Sequence, residues 1–228
     1  MVLATPGFAQ EKIASKQEKC TLGLDQSPEL RGFRMGMTQD QVLRRLPGVS
    51  IEKPDKYGLT RLRLAIIDAS AVIKTSTREK NVAPDITATP EDGSAFVLDG
   101  SRFPDLKTVR KIQMRFIDQR LSYLQITYDD ATKWESIDQF VEAISGRLKL
   151  PTLWRLPAEV EGDSEQKELR CDAFVISASL MADPTDVHAG PEIILEDLAA
   201  WNAMSKRQND TVDKAKRAED EKRKAFKP

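Results

Sequence analysis

The chain has 228 residues, of which 40% are hydrophobic and 31% are charged. With 35 Lys and Arg against 36 Asp and Glu, its formal net charge is −1, which argues against a nucleic-acid-binding protein because such domains usually carry a basic excess. No apolar run approaches the roughly 18 residues that a membrane-spanning helix requires. We therefore expect a globular protein with a real core and no membrane span.

Residues 1–19 resemble the end of a secretory signal peptide. Gly7 and Ala9 place small residues at positions −3 and −1 of a cleavage site after Ala9. The basic region and most of the apolar region of a signal peptide are missing, so a flexible tail is the alternative. Cys20 follows Gln17-Glu18-Lys19 and not the small residues of a lipobox. We therefore expect a soluble extracytoplasmic protein, periplasmic or secreted, without a lipid anchor.

The two cysteines, Cys20 and Cys171, are the candidate disulfide. In an oxidising compartment an even pair of cysteines favours a bridge, and two unrelated buried thiols are the alternative. Neither cysteine has a histidine or a second cysteine close by in sequence, so nothing indicates a reactive thiol.

Residues 31–48, RGFRMGMTQDQVLRRLPG, predict a structural joint between an extended segment and a short helix. Thr38 and Gln41 have the spacing of a capping box, in which each side chain accepts a hydrogen bond from the backbone of the other. Gly36 relaxes the backbone at the entry, and Pro47-Gly48 ends the helix. Because each residue has a structural role, the motif requires no catalytic one.

The longer stretch LRGFRMGMTQDQVLRRLPG, residues 30–48, resembles the strand–Gly-Met-Thr–helix opening of small exported bacterial α+β domains. These are domains of the beta-lactamase inhibitory protein type and of the small outer-membrane-assembly lipoprotein type. The resemblance implies short helices packed on an antiparallel sheet and a function in binding other proteins. The inhibitor type has a second Gly-Met-Thr opening and the lipoprotein type has a lipidated cysteine. This chain has neither, so no functional residue is carried over.

The middle of the chain predicts a sheet. Residues 59–67, LTRLRLAII, alternate between apolar and polar positions as a strand does. Residues 75–107 are polar and rich in Pro, Gly, Ser and Thr, which predicts an irregular excursion with a short strand at AFVLD. Two later segments, ELRCDAFVISASLM and PEIILEDL, are also predicted strands.

Residues 109–130, VRKIQMRFIDQRLSYLQITYDD, predict a hairpin. Leu124 and Ile126 fall on the same face as Met114 only if the loop around Asp118-Gln119 has an odd number of residues. An even loop would mix apolar and polar side chains on each face, so the pattern favours the odd loop.

A helix is predicted within residues 132–151, TKWESIDQFVEAISGRLKLP. Its apolar residues recur at helical spacing and consist of Trp134, Ile137, Phe140, Val141, Ile144 and Leu148. Thr132 and Glu135 have capping-box spacing. We expect this stripe to cover the sheet face that bears Leu62, Leu64, Met114, Phe116, Leu124 and Ile126.

Residues 199–228 predict a charged helix that is apolar only at its start. Four acid-to-base pairs have i,i+4 spacing, namely Asp210/Lys214, Asp213/Arg217, Glu219/Arg223 and Asp220/Lys224. No heptad seam runs through the segment, so a coiled coil is not expected. A solvated helix is one interpretation, and contact with an acidic surface is the other.

No catalytic motif is evident. The one histidine, His188, lies near Asp183 and Asp186, but their spacing matches no metal-ligand template. There is no nucleophile elbow, no phosphate-binding glycine loop and no Cys-x-x-Cys. We therefore expect no cofactor, no metal and no enzyme activity.

The opposite sheet face is the candidate partner-binding surface. Arg and Tyr are common anchors of protein interfaces, whereas a merely solvated face is the alternative. The candidate residues are Arg61, Arg63, Gln113, Arg115, Tyr123 and Gln125.

We thus predict an α+β fold, with short helices packed on one face of an antiparallel β-sheet and a long charged C-terminal helix. Residues 1–19 form the tail, 20–198 a single domain and 199–228 the helix. The predicted function is that of an exported, non-catalytic protein-interaction or envelope-associated module whose partner is another protein. The alternative is a hydrolase with a carboxylate site that has no sequence signature.

The tail should be dispensable for folding. We expect a chain that begins at Lys19 to melt within about 5 °C of the full chain, because a signal-like tail buries little surface. A larger drop, which for a domain of this size corresponds to roughly 1 kcal/mol or more, would show that the tail is packed structure.

Overall fold

The computed structural model describes residues 19–51, 53–67, 95–129, 134–157, 165–180 and 190–225. The signal-like segment, apart from Lys19, lies outside these ranges, as does the loop with His188. The strands are β1 Leu59–Ile67, β2 Ala95–Asp99, β3 Val109–Ile117, β4 Arg120–Tyr128, β5 Gln166–Arg170, β6 Phe174–Leu180 and β7 Pro191–Asp197. The helices are α1 Gln39–Leu43, α2 Ile137–Leu148 and α3 Leu198–Ala225. Short 3-10 turns lie at Leu24–Gln26, Gly100–Arg102 and Pro104–Leu106.

The described strands form one seven-stranded sheet in the order β2-β1-β3-β4-β7-β6-β5. All neighbours are antiparallel except β1 and β2, which are parallel. A mostly antiparallel sheet with separate helices is the mixed fold that the strand patterns predict. The short strand expected at AFVLD is β2, and it forms one edge of the sheet.

One sheet face belongs to the main core. Its side chains pack in a single buried cluster with the apolar stripe of α2 and with the N-terminal segment. Full burial of a Leu or Phe side chain contributes about 1.5–3 kcal/mol, so this cluster is the main source of stability. Its fully buried members include Leu46, Leu64, Met114, Phe116, Leu124, Ile126 and Phe174.

The β3–β4 hairpin has the predicted faces but not the predicted loop. Its turn is the two-residue pair Asp118-Gln119, with φ of 50° and 64°, so the odd loop is wrong. The register nevertheless pairs Met114 with Leu124, because a bulge after Arg115 inserts Ser122 into β4. The extra residue that the pattern demands therefore lies in the strand and not in the turn.

The Gly-Met-Thr triplet is a structural joint, as predicted. The Thr38 hydroxyl accepts from the Gln41 amide at 3.3 Å, and the Gln41 side-chain oxygen accepts from the Thr38 amide at 2.8 Å. Gly36 has φ of +80°, where glycine is favoured. The Gly36 amide donates to the Leu121 carbonyl, and the Leu121 amide donates to the Met37 carbonyl, each at 2.8 Å. The triplet thus attaches α1 to the start of β4.

Helix α2 begins later than its sequence suggests. Thr132 lies outside the described residues, and the N-cap is Ser136, whose hydroxyl accepts from the Gln139 amide at 3.2 Å. The helix ends at Lys149 in the left-handed conformation. Trp134 precedes the helix, and its ring centre lies 5.2 Å from that of Phe140.

The predicted bridge between Cys20 and Cys171 is present. Both cysteines are buried, and their backbones pair in an isolated β-bridge. The Cys171 amide donates to the Phe174 carbonyl, which places the disulfide at the start of β6. The bridge therefore attaches the N-terminal segment to a strand that follows it by about 150 residues in sequence.

Removal of this bridge should destabilise the protein strongly. A loop with a sequence separation of 151 residues corresponds to a stabilisation of up to about 5 kcal/mol in the chain-entropy model. We expect the Cys20→Ala/Cys171→Ala variant to lose several kcal/mol of unfolding free energy in urea titrations. The matched control is wild-type protein unfolded with reductant, which should behave like the variant. Two alkylatable thiols in freshly isolated, unreduced protein would contradict the bridge.

Candidate functional site

The six candidate residues lie together on the sheet face opposite the main core. Arg61 pairs with Arg115 and Arg115 with Tyr123, which forms one cross-strand row. The adjacent row consists of Arg63, Gln113 and Gln125. Because side chains alternate along a strand, both rows point to the same side. We call the outward-facing side chains of β1, β3, β4 and β7 the polar face.

Strand β7 adds acidic residues whose place on this face is not evident from the sequence. Glu196 pairs with Tyr123, and Glu192 pairs with Thr127. The basic residues of the polar face therefore stand on β1 and β3, and the acidic ones stand on β7. The alternation of PEIILED carries this signal, but only the strand order shows that β7 lies beside β4.

Helix α3 covers one end of the polar face. Trp201 and Met204 pack on Leu59 and Ile117, and these residues form a second, smaller core. Met204 is 3% exposed. This end of the face is therefore not solvated, because the first turns of α3 place their own apolar residues on it.

Arg115 lies between two aromatic rings at this contact. Its guanidinium carbon is 4.3 Å from the centre of the Tyr123 ring and 5.5 Å from that of Trp201. Such cation–π contacts strengthen as they are removed from water. Tyr123 is only 7% exposed. These two candidates thus take part in the attachment of α3, and Tyr123 is not available as a partner contact while the helix is in place.

A second contact fastens α3 to the β3–β4 turn. The Arg207 guanidinium donates to the Asp118 carboxylate at 2.8 Å. This hydrogen bond raises the pKa of Arg207, so the guanidinium keeps its charge. The ion pair is largely solvent-exposed, and its main effect is to set where the helix crosses the sheet.

Hydrogen bonds join β4 to β7 across the polar face. The Tyr123 hydroxyl donates to the Gln125 side-chain oxygen at 2.7 Å, and Gln125 Nε2 donates to Glu192 Oε2 at 2.6 Å. The Thr127 hydroxyl donates to the same Glu192 oxygen at 3.2 Å. Gln125 is therefore held in one orientation, and the buried Glu192 carboxylate has hydrogen-bonded partners.

Burial sets the protonation of the groups next to α3. It raises the pKa of the Tyr123 phenol to about 12, against the opposite effect of the Arg115 charge. It also raises the pKa of Glu196, which Arg115 again opposes. The phenol thus remains protonated well above neutral pH, as its hydrogen bond to Gln125 requires.

The remaining candidates are accessible to different degrees. Arg61 is exposed, and so is Lys111, which lies on the same side of β3 as Gln113 and Arg115. Arg63 and Gln113 are half-buried. The accessible part of the polar face is therefore centred on β1 and β3, away from α3.

Two further features concern metal ions and membranes. No three His, Cys, Asp or Glu side chains gather within the described ranges in a group that could hold a metal ion. Asp183, Asp186 and His188 lie outside these ranges. None of the helices described has both the length and the apolar character needed to cross a membrane.

Comparisons of the chain with protein-family models, with curated proteins and with solved structures find no match. The resemblance of residues 30–48 to small exported α+β domains therefore stays a hypothesis. We interpret the polar face from its own geometry.

The Tyr123 phenol should make the stability fall at alkaline pH. Its folded pKa of about 12 lies above the unfolded value of 10.0, so the folded state retains a proton that the unfolded state loses. This contribution is constant below pH 10 and is lost as the pH rises towards 12. Between pH 9 and pH 11 we expect wild type to lose about 1 kcal/mol more unfolding free energy than Tyr123→Phe. If the unfolding free energies of wild type and Tyr123→Phe changed in parallel with pH in urea titrations, the raised pKa of Tyr123 would be contradicted.

Proposed function

We propose that the chain is an extracytoplasmic, non-catalytic module that binds another protein through the polar face of its sheet. The observation that carries the proposal is the sorting of charge by strand on this face, of which α3 covers one end only. The main core needs only the other face of the sheet, so this charged array is not required to form it.

The charge pattern favours a protein partner. Arg61 and Lys111 are exposed on β1 and β3, whereas the half-buried Glu196 stands on β7 beyond the β4 row. A surface with both signs of charge in fixed positions orients a partner that carries the complementary pattern. A nucleic acid, with negative charge throughout, would be repelled by the β7 side.

The polar face is also ordered in advance. Gln125 is hydrogen-bonded on both sides, and Arg115 is held between two rings. Binding loses less entropy when such side chains are already fixed. The face therefore has the character of a prepared interface.

The disulfide supports an extracytoplasmic compartment. Bridges between cysteines persist in secreted and periplasmic proteins and are rare where glutathione keeps thiols reduced. The buried bridge between Cys20 and Cys171 therefore supports an oxidising location. This location agrees with the signal-like start of the sequence.

Charge reversal on the accessible part of the polar face should weaken partner binding. The immobilised wild-type chain is used to retain and identify a partner from an extracytoplasmic fraction, and the affinity of the purified pair is then measured. We expect Arg61→Glu/Lys111→Glu to bind about tenfold or more weakly, because it replaces two positive charges by two negative ones. The effect should diminish at high salt.

The matched control is Arg34→Glu/Arg44→Glu. It makes the same change in net charge at two exposed residues of the N-terminal segment, which packs on the opposite side of the sheet. It should leave the affinity within about twofold, and circular dichroism should show both variants folded. Equal affinity of the two variants for the partner would refute the proposed face.

A further inference from the structure

A cavity of about 700 Å³ lies on the core side of the sheet, between the N-terminal segment, the Pro104–Thr108 region and α2. Its size is within the range of roughly 300–1,000 Å³ that is typical of small-molecule sites. It is separate from the polar face, because its floor includes Ile193, which belongs to the main core.

One wall of the cavity is apolar. Phe140, Ile144 and Leu148 line it from α2, and Trp134 lines it from just before the helix. These helical residues are spaced four apart, so the helix presents them on one side. The same side presents Arg147, one turn after Ala143. The helix therefore places an apolar wall beside a guanidinium group.

Three arginines, Arg31, Arg45 and Arg147, line the cavity. Arg31 is fixed by neutral partners, since its guanidinium donates to the Thr108 hydroxyl at 3.0 Å and to the Asp105 carbonyl at 3.4 Å. It also lies 5.2 Å from the centre of the Tyr128 ring. Burial raises the pKa of Tyr128, whereas the charge of Arg31 and its hydrogen bond lower it.

The other two arginines stand at the exposed rim. In the part of the chain that the structure describes, neither Arg45 nor Arg147 forms an ion pair. Gly32 leaves room for Arg45, because a β-carbon at this glycine would lie 2.9 Å from Arg45 Nη1. The backbone thus allows a guanidinium to lie directly against the cavity wall.

We propose that this cavity binds an amphipathic monocarboxylate, with the carboxylate at the rim beside Arg45 and Arg147 and the apolar body against Trp134 and α2. Guanidinium groups pair with carboxylates through two parallel hydrogen bonds. Three guanidinium groups face two carboxylates, those of Glu29 and Asp105, in the lining. The single excess positive charge matches a monoanion better than a phosphate dianion.

The binding test uses dodecanoate with the full chain, by isothermal titration calorimetry below the micelle-forming concentration. Dodecyltrimethylammonium has the same tail with the opposite charge, and acetate has the same head without the tail. We expect saturable binding of dodecanoate, with both comparison compounds at least about tenfold weaker. Absence of dodecanoate binding, or equal binding of the cation, would overturn the proposal.

Two pairs of variants test the two ends of the ligand. Arg45→Ala/Arg147→Ala should weaken dodecanoate binding about tenfold or more. The control Arg44→Ala/Lys107→Ala removes the same charge from exposed residues outside the lining and should leave the binding unchanged.

The second pair of variants concerns the apolar end of the ligand. Ala143→Trp should fill part of the cavity and weaken binding. Its control is Glu142→Trp, at an exposed neighbour outside the lining. If each variant behaves like its control, the proposal is wrong.

The tryptophan indole N–H signals in NMR spectra report where dodecanoate binds. Dodecanoate should shift the signal of Trp134, which a Trp134→Phe variant identifies, and should leave that of Trp201 on the polar face unchanged. A shift of Trp201 alone would place the ligand elsewhere and refute the site. Because the two surfaces are on opposite sides of the sheet, loss of partner binding and loss of dodecanoate binding are distinguishable.

Discussion

The pairing of β3 with β4 decides what each side of this molecule can do. A two-residue turn would by itself put Leu124 on the side of Arg115, and Ser122 corrects this by adding one residue to β4. The same turn also forms hydrogen bonds with neighbouring segments. Its first residue, Asp118, receives the Arg207 guanidinium, and the Asp118 amide donates to the Gly58 carbonyl at 3.1 Å. The N-terminal joint and α3 both take their positions from this hairpin.

Two unlike surfaces arise from one alternating pattern. Inward side chains of the sheet meet α2 and the N-terminal segment, and this layer encloses the cavity with its three arginines. Outward side chains form the polar face, where Arg115 stacks on Tyr123 and Glu192 accepts a hydrogen bond from Gln125. The disulfide closes the N-terminal segment onto β6, so that the layer forming one cavity wall is held at both the hairpin and the bridge.

The features that the sequence predicts well are local or periodic. The capping box at Thr38 involves residues three apart, and the faces of β1 and β3 follow from alternation. The features it misses depend on contacts between distant segments. The sequence shows Trp201 and Met204 only as the apolar start of a charged helix, and it does not show that they pack on Leu59 and Ile117. Prediction of three further features would likewise require the strand order, which no short stretch of sequence encodes. These features are the bulge at Ser122, the contact between Gln125 and Glu192, and the cavity. Of the four predicted i,i+4 pairs in α3, the described residues form one, Glu219–Arg223 at 2.8 Å.

Helix α3 has 28 residues, which corresponds to a rod of about 42 Å. Its contacts with the sheet end at Arg207, and every residue from 209 to 224 is exposed. The two parts of one continuous helix therefore differ in their free energy of local opening. Amide hydrogens near Met204 should exchange with solvent only as fast as the sheet beneath them opens. The exchange rates beyond residue 209 should depend instead on helix propensity and on a few surface ion pairs. Hydrogen exchange along α3 would accordingly change steeply within one or two turns, at the point where the rod leaves the polar face.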